Sequence, residues 1–131
     1  MLTGEQATAH EYQGDVYQSM QCGCCDVWSS YAQRDIDLEV SKQVSIDHIK
    51  DEYEIPHRLR SCHTTVIEEY YIEGHIPMQA IDKLLEERPD IAGIALPGMP
   101  SGTPGMPGPK SGDWIIYAIN HDGTSYEFMR I

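Results

Sequence analysis

Basic residues are scarce. Nine Lys and Arg stand against 21 Asp and Glu, for a net charge of −12, and no basic cluster offsets that excess. Nucleic acid and anionic membrane surfaces repel such a chain, so neither is expected as a partner. The acidic excess also draws cations, although an acidic surface is ordinarily just a soluble one. Long apolar runs are missing as well, and nothing approaches the roughly 20 residues of a membrane span. The opening stretch, Met1 to His10, has no basic start and no apolar segment, and so does not read as a signal peptide. That reading leaves either a cytosolic chain or a mature one carrying a start methionine. Cysteine is sparse at four residues, too few to fix a redox compartment.

What is present is ordinary in bulk and concentrated in places. A length of 131 residues, 40% hydrophobic and 23% charged, suits one globular domain with a core of its own. Three of the four cysteines fall within Gln21-Cys22-Gly23-Cys24-Cys25-Asp26, and the fourth, Cys62, stands beside His63. Neighbouring Cys24 and Cys25 are poorly placed to bridge each other, because the small ring strains the peptide between them. Cys22 and Cys25 have the Cys-x-x-Cys spacing that redox enzymes and metal sites both use. A helix starting near Cys24 favours thiolate over thiol there, and thiolates are both the nucleophiles of disulfide exchange and ligands of soft metals.

Along the chain, residues 1 to about 12 read as a loose polar arm, and Asp15 to Gln18 as a short strand. Cys25, Trp28, Tyr31 and Ala32 recur at helical spacing from Cys24 to about Gln33. Leu38-Glu39-Val40 alternates like a strand. Ser45 is placed to cap a helix through Ile46, Ile49 and Tyr53 that Pro56 closes. Two strand-like runs follow Cys62-His63, namely Thr65 to Ile67 and Tyr70 to Ile72. Pro77 suits the first position of a helix carrying Ile81, Leu84 and Leu85 on one face, ending at Arg88-Pro89. The order is strand, helix, strand, helix, two strands, helix. With Cys-x-x-Cys at the first strand-to-helix junction, this predicts an α/β fold of thioredoxin-like type. Trp114 to Ile119 and Ser125 to Phe128 then form a terminal hairpin around Asp122-Gly123.

Between the last helix and that hairpin, ten of the sixteen residues 97–112 are Gly or Pro, and Pro-Gly-Met-Pro occurs twice, at 97 and at 104. A flexible linker is one reading of such composition. The other notes that Met99 and Met106 have little core to fill in a Gly/Pro loop, while their thioethers are soft ligands for Cu(I). Composition leaves both open.

Cys22 and Cys25 suffice for thiol–disulfide exchange, which leaves Cys24 surplus and suited to a metal. Zinc asks for four well-separated ligands in a tetrahedron, an awkward demand on one crowded turn. The spacing fits no usual ferredoxin pattern. Copper(I) accepts two or three soft ligands, and bridging thiolates turn crowding into an advantage. In a thioredoxin-like fold Cys62 and His63 lie against the Cys-x-x-Cys. His63 and His75 each read equally well as ligands or as structural histidines. His10, His48, His57 and His121 read as surface residues, and Trp28 as core.

These motifs resemble the CopG family of bacterial copper-resistance proteins. The resemblance is carried by Tyr17-Gln18-Ser19 leading into Cys22-Gly23-Cys24-Cys25 and Trp28, and by Leu59 to Thr64. It continues through Ile72 to Pro77, Pro97 to Pro100, and Gly102 to Met106. Five motifs in order cover most of residues 15 to 119. The resemblance implies a thioredoxin-like domain with a C-terminal extension folded back over a copper site. It implies that Cys22, Cys24, Cys25 and Cys62 hold copper, and suggests His63, His75, Met99 and Met106 as further ligands. One or more Cu(I) ions, held as a small sulfur-bridged cluster, are expected, with Cys22 and Cys25 as a redox pair and Cu(I)/Cu(II) interconversion. A plain thiol–disulfide oxidoreductase and a passive copper chaperone or store are the rivals. The resemblance also implies export to the periplasm, with copper efflux components or a redox partner as company, and a monomer is the default. Glu68-Glu69 departs from the family, which often has a Gly-containing turn there. The absent export signal departs from it too.

Overall fold

The computed structural model describes residues 12–131. The polar arm expected over residues 1 to about 12 therefore lies outside the described residues except for Tyr12, as do the signal-peptide reading and His10.

The chain alternates β1 (Gln13–Ser19), α1 (Gly23–Ala32), β2 (Asp37–Gln43), α2 (Asp47–Glu52), β3 (Thr64–Ile67), β4 (Tyr70–Glu73), α3 (Met78–Glu87), β5 (Gly93–Ala95), β6 (Ile115–Ile119) and β7 (Ser125–Arg130). A 3₁₀ turn, His57–Leu59, follows α2. The strands form one seven-stranded sheet in the order β2-β1-β3-β4-β5-β6-β7. The β1–β2 and β4–β5 pairs are parallel and the others antiparallel. The α/β class and the terminal hairpin are as expected, but the hairpin does not stand apart. Three-residue β5 joins it to β4, so the sheet runs unbroken to the C-terminus.

The strand faces sort the side chains. Ile72 lies opposite Ile94, and Ile94 opposite Ala118, across β4, β5 and β6. That face meets Trp28 and Ala32 of α1 and Ala80, Ile81 and Leu84 of α3 in the main core. The opposite face carries Tyr71, Ala95 and Ile119, covered by Ile55 and by Leu59 of the 3₁₀ turn. Covered on both sides, β4 is buried along its whole length, which explains a strand without polar alternation. β5 approaches β4 so closely that a Cβ on Gly93 would stand 2.3 Å from the Tyr71 carbonyl oxygen.

Local details differ from expectation by a residue or two. α3 begins at Met78, with Pro77 outside it at the N-cap. Ile46 is the N-cap of α2, while the Ser45 hydroxyl accepts the Asp47 N–H at 3.3 Å from one residue farther out. β2 and β7 run longer than expected. Glu68 turns the β3–β4 corner in the left-handed region at φ 57°, the conformation a glycine would adopt without strain.

Candidate metal centre

β1 delivers the chain to the N-terminus of α1, where Cys22 is the N-cap and its sulfur accepts the Cys25 N–H at 3.3 Å. Cys22 and Cys25 are joined in a disulfide, and Cys24 and Cys62 are free thiols. Helical rotation separates the two neighbours: Cys25 is fully buried, whereas Cys24 is half-buried and faces outward along the cluster. The Cys24 sulfur lies 3.6 Å from Cys22 Sγ, 4.0 Å from Cys62 Sγ and 3.9 Å from Met99 Sδ. All four cysteine sulfurs fall within 4.8 Å of one another.

Cys62 also belongs to a second, deeper group. Its sulfur is 3.3 Å from His63 Nδ1 and 2.9 Å from His75 Nε2, and one ligand atom from each of the three residues lies within 4.8 Å of the others. His75 Nδ1 is 2.6 Å from the Pro104 carbonyl oxygen. A carbonyl can only accept, so Nδ1 carries the proton and Nε2 presents its lone pair to Cys62. A histidine oriented by a carbonyl in this way is the usual arrangement around a metal. His63 is fully buried between the Trp28 ring, 4.7 Å away, and the His75 ring at 5.2 Å. Its Nε2 has no hydrogen-bond partner. Trp28 is core, as expected, and its Nε1 donates to the Ile76 carbonyl at 3.0 Å.

Burial governs the electrostatics. It holds His63 well below the ordinary imidazole range, helped by the neighbouring His75 and Lys50. It also lowers His75, against the opposing pull of the Pro104 carbonyl. Both imidazoles therefore stand neutral, the form that ligates metals. Burial, with Cys24 beside it, pushes the Cys62 thiol up to about 12. A thiolate at that position needs a cation close by to balance it.

The Gly/Pro segment 97–112 is packed against this cluster. The Ser61 hydroxyl donates to the Gly98 carbonyl, Met99 reaches Cys24, and Pro104 meets His75. A Cβ on Gly105 would stand 2.8 Å from the Cys24 carbonyl oxygen and 2.9 Å from His75 Nδ1. Thr103, itself buried, ties the segment internally through its hydroxyl to the Pro100 carbonyl, and the Met106 N–H donates to the Thr103 carbonyl. Met99 is 48% exposed and contacts the thiols, whereas Met106 is half-buried and makes no hydrogen-bonded contact with them among the described residues. His48, His57 and His121 are exposed.

Sequence reasoning missed one part of the site. Glu73, fully buried, accepts the Ser61 N–H and the Thr64 hydroxyl and pairs with the ammonium of Lys50, which is 4% exposed. One signal was available: Lys50 stands four residues from Ile46, inside the apolar stripe of α2.

The donor set fits a soft metal. It offers two free thiols, two further sulfurs once the Cys22–Cys25 bond is reduced, a thioether and two neutral imidazoles, one of them with an unpartnered buried nitrogen. A family model described as a protein of unknown function, DUF411, matches residues 59–106. No curated protein matches. The solved structure of a copper resistance protein copG in its Form 2 superposes with a TM-score of 0.84 at 30% sequence identity, covering 92% of this chain and 98% of that one. The chain belongs to the CopG family. Form 1 of copper resistance protein copG gives a TM-score of 0.82 at 30% identity, over 91% and 96% of the two chains. CopG membership agrees with the five motifs, and the family-model match spans four of them completely, from Leu59 to Met106. Among the described residues no helix is long and apolar enough to cross a membrane.

Proposed function

We propose that this CopG-family chain is a periplasmic copper-binding protein of copper resistance. It holds several Cu(I) ions through the thiolates of Cys22, Cys24, Cys25 and Cys62, with His63, His75 and Met99 as further ligands and Met106 as an outer one. The observation that carries this reading is the packing of four cysteine sulfurs within 4.8 Å of one another, two of them joined and two free. Crowding of that kind suits bridging thiolates and leaves little room for four separate corners of a tetrahedron.

Copper is the substrate as well as the cargo. Closing the Cys22–Cys25 bond from two thiolates releases two electrons, which reduce two Cu(II) to two Cu(I). Reopening the bond takes two electrons back, from two Cu(I) or from a dithiol reductant. The chain's own residues set the stage for this exchange. The Cys25 N–H holds the Cys22 sulfur at the helix end, and the Pro104 carbonyl keeps His75 Nε2 unprotonated. The 97–112 segment packs against the cluster through Met99 on Cys24 and Pro104 on His75.

The test is elemental analysis of the reduced protein loaded with copper without oxygen. The wild type is compared with Cys24→Ser and with a Met99/Met106 double substitution to Leu. Several ions per chain are expected in the wild type, with fewer in Cys24→Ser and looser binding in the double variant, at unchanged fold. No tight copper in the wild type overturns the reading. The Cys22–Cys25 disulfide favours a second reading, a plain thiol–disulfide oxidoreductase. That reading predicts insulin-type disulfide reduction by metal-free protein, indifferent to the two methionines.

A further inference from the structure

The Lys50–Glu73 pair is poorly explained as a source of stability. Burying two charges costs several kcal/mol per ion before their attraction returns it, and apolar replacements of similar volume often serve a core as well or better. Its hydrogen bonds point elsewhere. One carboxylate oxygen, Oε2, accepts the Ser61 N–H at 2.9 Å together with the Lys50 ammonium. The other, Oε1, accepts the Thr64 hydroxyl at 2.6 Å, and that hydroxyl in turn accepts from Lys50 Nζ at 2.9 Å. The two oxygens thus grip both flanks of the Cys62–His63 dipeptide. The same strand end leads through Gly74, whose N–H donates to the His63 carbonyl at 3.0 Å, directly into His75. One side chain therefore ties the turn bearing Cys62 and His63 to the strand bearing His75, with both of its carboxylate oxygens paired.

We propose that Glu73, anchored by Lys50 and Thr64, is a positioning residue that sets the Cys62–His63 arm against His75 and thereby tunes how copper is held. This inference rests on the reading of those three residues as copper ligands. It also gives the ion pair a role, because a neutral pair of the same shape would fill the space without fixing both ends of the dipeptide.

The test is the double variant Lys50→Met with Glu73→Gln, which removes both charges at nearly constant volume. Thr64→Val accompanies it, taking away only the hydroxyl. Cu(I) affinity is measured by competition with a chromophoric chelator, and the ligand shell by copper X-ray absorption. In folded double variant, affinity is expected to fall at least tenfold, with a weakened nitrogen contribution to the shell. Thr64→Val is expected to change both in the same direction by less. A folded double variant with wild-type affinity and shell overturns the proposal. If the double variant does not fold, Thr64→Val decides by the same two readouts. Absence of tight copper in the wild type is a different result, which sinks the metal reading itself.

Discussion

Replacing Gly105 by Ala tests how far the site depends on the segment that covers it. The residue sits at φ +95°, where an L side chain is strained by about 1–2 kcal/mol. The new methyl group would lie 2.8 Å from the Cys24 carbonyl oxygen and 2.9 Å from His75 Nδ1, so the segment must retreat by about 0.5 Å or more to reach ordinary contact. The Pro104 carbonyl moves with it. Its 2.6 Å contact with His75 stretches to about 3.1 Å, near the limit of a good hydrogen bond, and forfeits much of the roughly 1 kcal/mol such a bond contributes. Together these come to about 2–3 kcal/mol against the docked segment, or roughly a 30- to 150-fold rise in its opening constant. Hydrogen exchange resolved by peptide should show residues 97–112 losing protection while β1 and β3 keep theirs. Cu(I) affinity should fall alongside, because Met99 leaves Cys24. Unchanged exchange in 97–112 together with unchanged affinity would refute the packing argument.

Two further substitutions probe the interior. Lys50→Met alone strands the fully buried Glu73 carboxylate and should cost about 3–5 kcal/mol in urea unfolding, most of it restored by adding Glu73→Gln; a loss under about 1 kcal/mol contradicts the ion-pair account. Trp28→Phe removes the donor to the Ile76 carbonyl and part of the ring against His63, and should lower stability by about 1–3 kcal/mol, read from the shift in denaturant midpoint. An unmoved midpoint would mean that neither contact matters to the folded state.

The parts of this protein that were legible in sequence are those whose signal is local. The helix after Cys22 announces itself through Cys25, Trp28 and Ala32, and α3 through Ile81, Leu84 and Leu85. The approach of Cys62 and His63 to the first cysteines followed from their place before the third strand, whereas His75 was joined to them only by the family resemblance. β5 was not legible, because Gly93-Ile94-Ala95 is too short to show a period and is defined by its neighbours, Tyr71 and Ile119. Lys50 and Glu73 were hidden by a general expectation that charged residues face water. Their partnership spans 23 positions in sequence and exists only after the strands have paired. Composition could not decide between linker and ligand loop for residues 97–112. The contacts that pack the segment against the cluster are distant in sequence, from Gly98 to Ser61, Met99 to Cys24 and Pro104 to His75.

The unequal burial of the two bridged sulfurs has a consequence for the order of events at that bond. Cys25 is sealed in the first turn of α1, while Cys22 remains half-exposed at its cap. Disulfide exchange requires an incoming thiolate to approach one sulfur while the other departs. Here the approach is open at Cys22 alone, and Cys25 is the sulfur that leaves. The bond is thus one-sided: if it exchanges with a partner, the mixed disulfide is expected to form through Cys22. With Cys25 replaced by Ser, and the free thiols Cys24 and Cys62 replaced too, that intermediate should persist and be visible by mass spectrometry after partner thiols are activated. The converse variant, Cys22→Ser in the same background, should capture nothing at Cys25, and capture there would show that the helix end opens.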